Sequence, residues 1–162
     1  MEKFVSDAML GKLTRWLRLA GYDVVYVGDL GIPPEKQDPS LIDIALLQNR
    51  RLLTSDIKLH RNAMRSGAKS TLIGSGDVVS QMVELCRKTK QRLKIDPEKS
   101  RCPMCNGALD RADSSSVKGL VPKKVLDMEE FWKCSSCGKV YWKGKHWKSM
   151  LKTVQRYNQI MK

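Results

Sequence analysis

Residues 4–26 read FVSDAMLGKLTRWLRLAGYDVVY, and this stretch decides the predicted fold. A short apolar strand ends at Asp7, and apolar residues spaced three and four apart then predict a helix over residues 10–19. Gly21 suits the end of that helix. Residues 23–27 are rich in β-branched side chains, which predicts a second strand.

The same alternation continues toward residue 92, with helices predicted over 40–48, 59–66 and 77–90 and strands over 51–55 and 70–73. Strands separated by helices indicate a mostly parallel α/β sheet that is covered on both faces. A charged, proline-containing segment follows, and we place a domain boundary near Leu93. The sequence therefore predicts an α/β domain over 1–92 and a small cysteine-containing domain over 93–162.

The composition excludes several classes of protein. Of 162 residues, 41% are hydrophobic, which suffices for a core and argues against global disorder. The apolar runs are only a few residues long, so no membrane-spanning helix is predicted. The N-terminus lacks a basic segment followed by a long apolar one, so we predict no signal peptide and a cytoplasmic location.

The formal net charge is +13, and residues 93–162 carry the larger share of it. From Gly138 onward the sequence contains seven basic residues and no acidic one. This imbalance favours a polyanionic partner, most often a nucleic acid, over a merely solvated surface. Aromatic side chains interleaved with the lysines offer base stacking as well as phosphate contacts, so we predict RNA contacts at Lys143, Lys145 and Trp147. An anionic membrane is the weaker alternative, because the aromatic residues form no long apolar face.

Two C-x-x-C pairs, Cys102/Cys105 and Cys134/Cys137, supply the four thiolates of a tetrahedral structural zinc site. Disulfides or redox chemistry are the alternatives, but a cytoplasmic setting disfavours disulfides. A zinc ion with four protein ligands has no open position and is not expected to be catalytic. Cys86 lies on the apolar face of a predicted helix and is expected in the core.

Acidic residues recur where predicted strands end and helices begin. Asp7 and Asp56 follow strands, and Asp38 and Asp77 precede helices, so all four are expected at one edge of the sheet. Asp43 lies about 7.5 Å further along its predicted helix and is less well placed. Each acid has a plain structural role as a cap or turn residue. Together they suit Mg²⁺ or Mn²⁺ instead, next to a basic surface that binds phosphate.

Four segments resemble one known family, the Mut-seven C-terminal-type ribonuclease domain proteins. They are FVSDAMLGKLTRWLRLAGYDVVY, DPSLIDIALLQNRRLLTSD, RCPMCNG and CSSCGKVYWKGKHW, which are distributed between residues 4 and 147. The resemblance implies a PIN-like α/β/α nuclease domain with a C-terminal zinc ribbon. It also implies a metal-dependent ribonuclease with an acidic active site.

The resemblance matches Asp7, Asp38, Asp56 and Asp77 to the acidic residues of the family. It departs at Ser55, where a basic residue usually follows LLT. On this basis we expect Asp7, Asp38 and Asp56 to hold Mg²⁺ or Mn²⁺, with Asp77 assisting. Lys12 and Arg15, on the helix after Asp7, are predicted to position RNA phosphates, although a solvated helix face explains them nearly as well.

Two other functional classes compete with an endoribonuclease. An RNA-binding protein without cleavage, acting in ribosome or tRNA handling, fits the same composition. A phospho-accepting receiver domain would need a pair of acids after the first strand and a lysine after the last. The sequence has only Asp7 after the first strand and no such lysine, so this class is disfavoured.

Overall fold

The computed structural model describes residues 1–74, 76–127 and 130–162. Its first part contains a sheet of four parallel strands in the order β2-β1-β3-β4. The strands are β1 (Phe4–Ser6), β2 (Val24–Tyr26), β3 (Arg51–Thr54) and β4 (Ser70–Leu72). The predicted mostly parallel sheet is confirmed.

Helices cover both faces of this sheet, as predicted. They are α1 (Gly11–Leu19), α2 (Pro34–Leu47), α3 (Ile57–Arg65) and α4 (Val78–Thr89). Side chains of α1 and α4 form one apolar cluster with Phe4, while α2 and α3 form a second cluster with Val5. Neighbouring residues of β1 thus face opposite layers, which explains why the strand has no polar side.

The start of α2 differs from the prediction. We expected this helix to begin at Ser40, because Pro33, Pro34 and Pro39 indicated a loop, but it begins at Pro34. Proline is well suited to the first helical position, where its missing N–H has no partner to lose. Pro39 lies inside the helix near its start. Asp38 therefore lies within the helix, not at its first residue, and the reason for preferring it to Asp43 is weakened.

The second part is an antiparallel three-stranded sheet, consistent with a zinc ribbon. It comprises β5 (Leu109–Ala112), β6 (Phe131–Cys134) and β7 (Val140–Trp142), in the order β5-β6-β7. Its small core contains Val117, Val121 and Phe131. A core of this size gives little stability by itself, so a metal is a reasonable additional constraint.

A final helix, α5 (Lys145–Ile160), leaves the ribbon and packs against α4. Tyr157 is 1% exposed and belongs to the apolar cluster of the first part. Its hydroxyl donates to Cys86 Sγ at 3.2 Å and accepts from the Leu93 amide at 3.0 Å. Cys86 is buried. The division into 1–92 and 93–162 remains a prediction.

Across the described residues, no helix combines the length and the apolar character that crossing a bilayer requires.

Candidate functional site

Asp7 lies where β1 ends, and its side chain is held by three donors. The Met9 amide donates to Oδ1 at 3.0 Å, and the Thr54 hydroxyl and the Ser55 amide donate to Oδ2 at 2.5 and 3.1 Å. These bonds form because β1 and β3 are paired in parallel, so both strands end at the same edge. The carboxylate is thus fixed in one orientation.

Asp7 is only 5% exposed, and among the described residues no lysine, arginine or histidine forms an ion pair with it. Burial raises the pKa of the Asp7 carboxyl, and the hydrogen bonds from Thr54, Ser55 and Met9 offset that effect only in part. A buried carboxylate without a counter-ion is unfavourable. A cation bound at this edge would relieve that cost.

Asp56 reaches the same edge from β3 and is exposed. Its Oδ1 accepts from the amides of Lys58 and Leu59 at 2.6 and 3.1 Å, so it caps α3. Its own amide donates to Thr54 Oγ1 at 2.9 Å. Since the same hydroxyl donates to Asp7, Thr54 bridges the two acidic residues. No pattern in the sequence predicted this role of Thr54.

Asp38 and Asp77 are placed differently. Asp38 is exposed within α2. Asp77 caps α4 by accepting from the Ser80 amide at 2.8 Å, and its other oxygen pairs with Arg156 at 2.6 Å. The Ser80 amide and the Arg156 guanidinium lower the pKa of Asp77. The cap predicted for Asp77 is therefore present, but both carboxylate oxygens already have partners in the protein.

Within the described ranges, the acidic residues do not form a tight cluster of ligand atoms. The one group of three or more whose atoms all lie within 4.8 Å of each other is Cys102, Cys105, Cys134 and Cys137. Asp7 and Asp56 share an edge and the Thr54 bridge, and no third acid of the described ranges joins them in a group whose ligand atoms all lie within 4.8 Å of each other. The predicted roles of the four acidic residues remain predictions.

The four cysteines have the geometry of a tetrahedral thiolate site. Cys102 and Cys137 Sγ lie 3.7 Å apart, and Cys105 and Cys134 Sγ lie 3.4 Å apart. Zinc–sulfur bonds of about 2.3 Å place the corners of a tetrahedron about 3.8 Å apart. All four cysteines are free thiols at distances well beyond a disulfide bond. The donor set and its spacing thus fit zinc.

The backbone around the cysteines explains why the site forms. Gly138 has a φ of +73°, the left-handed conformation that glycine adopts readily, and in the first knuckle Asn106 adopts it, with a φ of +68°. Gly107 serves another purpose, because a Cβ there would lie 2.9 Å from Cys134 Sγ. Burial opposes ionisation of Cys134, but the amides of Cys137 and Ser136 outweigh it and lower its pKa to about 7.

Of the predicted RNA contacts, Lys12 and Arg15 are exposed on the first turns of α1, next to Asp7. Lys143 pairs with Glu130, and its ammonium lies 5.5 Å from the Trp132 ring and 6.0 Å from the Trp147 ring. Lys145 is exposed at the start of α5. These positions leave both the RNA-binding and the solvated-surface interpretations open.

Arg18 has a role that sequence reasoning missed. It is 2% exposed and donates to the carbonyl oxygens of Pro103 and Met104, both at 3.1 Å, in the first cysteine knuckle. It also donates to Val24 O and pairs with Asp29 at 2.8 Å. The available signal was its position next to Leu17, on the buried side of α1.

A second contact joins the ribbon to the sheet. Asn106 Oδ1 accepts from the Val24 amide at 3.1 Å, and Asn106 Nδ2 donates to Asp23 Oδ1 at 2.7 Å. Asp23 also forms a two-point ion pair with Arg50. The edge strand β2 is thus hydrogen-bonded to the cysteine knuckle through side chains.

The model of the family described as the Mut7-C RNAse domain matches residues 2–154. The chain belongs to the Mut7-C RNAse domain family. No curated protein and no solved structure matches it. The family resemblance predicted from the sequence is confirmed, and the membership indicates a nuclease domain that includes the acidic edge and the cysteine site.

For a Mut7-C RNAse domain, the two regions suit different tasks. The cysteine site can hold a metal but offers no open position for substrate. The edge around Asp7 and Asp56 offers exposed carboxylate oxygen and, beside it, the exposed cations of α1. Chemistry on a phosphodiester is therefore more readily placed at the edge than at the cysteines.

Proposed function

We propose that this chain is a PIN-like, metal-dependent endoribonuclease that hydrolyses RNA phosphodiester bonds at the edge holding Asp7 and Asp56. The observation that carries the proposal is Asp7 itself, a buried carboxylate with no cationic partner among the described residues, in a chain of a ribonuclease family. Capping the turn at the Met9 amide does not by itself require an acid, because Asn or Ser caps about equally well.

The residues of this edge fit Mg²⁺ or Mn²⁺ in part. Asp7 and Asp56 would hold the ion, and Asp56 Oδ2 accepts no hydrogen bond within the described part of the chain. Such an ion supplies an activated water and neutralises charge on the phosphate. Asp38 would contribute only if α2 moved and brought it toward Asp7. Asp77 would contribute only if its ion pair with Arg156 were broken.

Other residues of the chain would bind the substrate. Lys12 and Arg15 would contact phosphates beside the scissile bond, because their helix begins at this edge. Lys143, Lys145 and Trp147 would hold RNA further away, on the ribbon and the start of α5. Thr54 would hold Asp7 and Asp56 in register while the water oxygen bonds to phosphorus and the P–O bond to the leaving oxygen breaks. The proton that the water loses is matched by the proton that the leaving oxygen takes up.

The test is cleavage of a mixed RNA pool in Mn²⁺ or Mg²⁺ by the wild type and by Asp7→Asn and Asp56→Asn. We expect each substitution to lower the rate by about 100-fold or more, as removal of a catalytic group does. Asp110→Asn is the matched control, because Asp110 is exposed on β5, outside the parallel sheet, and has no predicted role. A wild-type rate in Asp7→Asn would exclude the proposed site.

A second readout does not depend on activity. Binding of Mn²⁺ to the folded state raises the melting temperature, since a ligand that binds only the native state stabilises it. The increase is expected in the wild type and in Asp110→Asn, and not in Asp7→Asn. A similar increase in all three proteins would place the ion elsewhere.

The alternative function is RNA binding without cleavage, in ribosome or tRNA handling. Its support is that Asp7, Asp56 and Asp77 all have structural roles as caps in the observed fold. Tight, salt-sensitive RNA binding with no metal-dependent turnover would favour it. The cytoplasmic location also remains a prediction.

A further inference from the structure

Helix α5 has two contrasting faces. One face carries Trp147, Val154, Tyr157 and Met161, of which Tyr157 and Met161 pack on the apolar cluster of the first part. The opposite face carries four basic residues, here called the α5 stripe: Lys145, Lys148, Lys152 and Arg156. The apolar face explains how the helix docks, and of the stripe only Arg156 takes part in that docking, through its ion pair with Asp77.

The α5 stripe is a regular array of charge. Its members are spaced three, four and four residues apart, so they lie within about 80° of helix surface and extend over about 16 Å. All four are exposed. In the described ranges, no acid forms an ion pair with Lys145, Lys148 or Lys152.

The stripe also has a direction. It begins at Lys145, two residues after Lys143 and close to the end of β7 in the ribbon. It ends at Arg156, whose Nη1 lies 2.6 Å from Asp77 Oδ2. Asp77 caps α4, which begins at the same edge of the sheet as Asp7 because the helices that follow β1 and β4 both start there. The stripe therefore connects the ribbon to the proposed catalytic edge.

The charge on this face opposes stability of the isolated helix. Like charges three or four residues apart destabilise a helix by a few tenths of a kcal/mol per pair. The helix has no acidic residue to offset them. An external polyanion would remove this repulsion, and an ordered row of cations suits a chain of phosphates.

We propose that the α5 stripe binds the backbone of single-stranded RNA and guides it from the ribbon to the edge at Asp7. The inference rests on the proposed function, because the RNA is guided to the edge where that function places cleavage. A phosphate at the end of the path would compete with the Asp77 carboxylate for Arg156. A membrane surface is the less suitable partner, because the apolar face that would enter the lipid is already packed on α4.

The experiment compares two triple variants with equal loss of charge. The stripe variant is Lys145→Gln/Lys148→Gln/Lys152→Gln, which leaves the Arg156–Asp77 pair intact. The control is Arg61→Gln/Arg65→Gln/Lys69→Gln, on and after α3, in the opposite helix layer, where the three side chains are exposed. Circular dichroism melting confirms that both variants are folded.

RNA binding is measured first, in the Asp7→Asn background so that the probe remains intact. The probes are fluorescein-labelled oligouridylates of about 20 and about 4 nucleotides, lengths that bracket a single-strand site. We expect the stripe variant to bind the longer probe about tenfold more weakly. Its plot of log K against log salt should be shallower by about 2, since each phosphate contact contributes about 0.7. The shorter probe should be unaffected.

Two results would overturn the stripe as an RNA path. Equal weakening of RNA binding in the control variant would show that binding depends only on the total charge of the protein. Unchanged RNA binding, together with loss of binding to phosphatidylserine-containing vesicles, would assign the stripe to a membrane.

Cleavage in the wild-type background separates the two proposals. If the stripe variant cleaves the longer probe more slowly but the shorter one at the wild-type rate, both proposals are supported. If neither probe is cleaved by the wild type while the binding loss persists, the hydrolase proposal fails and the RNA path remains. If binding and cleavage of the longer probe are both unchanged, the path fails and the hydrolase remains.

Discussion

The cysteine site and the acidic edge were both predicted as metal sites, and the structure forms them to different degrees. Four thiols converge to within 4.8 Å of each other, whereas the predicted acids share an edge without converging as a set in the described residues. The cysteines come in two local knuckles, so each pair is positioned by its own turn. The acids come from separate elements and meet only through the topology of the sheet.

The difference reflects the cost of charge. Thiols can approach each other as neutral groups, and a knuckle amide such as that of Cys137 already points at Cys134 Sγ, 3.5 Å away. Carboxylates at neutral pH repel unless a cation or proton lies between them. Asp77 thus has both a cap bond and an arginine, whereas the buried Asp7 has hydrogen-bond donors but, among the described residues, no cation.

The largest effect should come from breaking the cysteine site. In Cys102→Ser we expect bound zinc to be lost and the melting temperature to fall by about 10 °C or more, because structural zinc contributes directly to folding. Zinc content by mass spectrometry and a circular dichroism melt measure both. Cys86→Ala is the control, since Cys86 lies in the other core. Full zinc content in Cys102→Ser would show that the thiols are not the ligands.

The next effect concerns the contact between the two regions. Arg18→Met removes the donors to Pro103 O and Met104 O and leaves Asp29 without its partner. The carbonyl oxygens lose charged donors, which should lower the free energy of unfolding by about 2–3 kcal/mol, measured by urea unfolding. Arg15→Met, on the exposed side of the same helix, should change the free energy of unfolding by less than about 0.5 kcal/mol. If Arg18→Met and Arg15→Met changed the free energy of unfolding equally, the contacts of Arg18 would not stabilise the fold.

A smaller effect is expected at the acidic edge. Thr54→Val removes the hydroxyl shared by Asp7 and the Asp56 amide, and should lower the free energy of unfolding by about 1–2 kcal/mol. RNA cleavage should fall as well, because Asp7 loses its orientation. Ser55→Ala retains the amide that donates to Asp7 and should leave both quantities near wild type. If the two variants behave alike, the hydroxyl bridge does not position the acids.

The smallest effect is at Asp77. Because hydrogen bonding to Ser80 and Arg156 lowers its folded-state pKa below 3.8, its stabilising contribution is present above that value. It is lost as the pH falls through the folded-state pKa. Arg156→Gln should lower the melting temperature slightly near neutral pH, and this difference should disappear in strong acid. Lys152→Gln, one turn earlier, should show no such pH dependence. A difference that persists in acid would mean that Arg156 acts through packing.

The sequence was informative where structure is local. The periodicity around Leu13 and Leu17 predicted α1, and the C-x-x-C spacing predicted the thiol cluster. It was misleading at α2, where Pro34 and Pro39 indicated a loop although proline is tolerated near a helix start. It could not identify the hydrogen-bond bridge at Thr54 or the hydrogen bonds of Arg18 to the cysteine knuckle. Both depend on residues that only the folded chain brings together.

The buried hydroxyl of Tyr157 has a consequence for the order of synthesis. Tyr157 fills the cluster that contains Cys86, 71 residues earlier in the chain. All four strands of the parallel sheet can therefore be made and paired while their core is still incomplete. Until residue 157 emerges, apolar surface on α4 stays accessible, and a nascent chain with such a surface is a natural substrate for chaperones. Native packing of the first part of this protein is thus delayed until its last helix is synthesised.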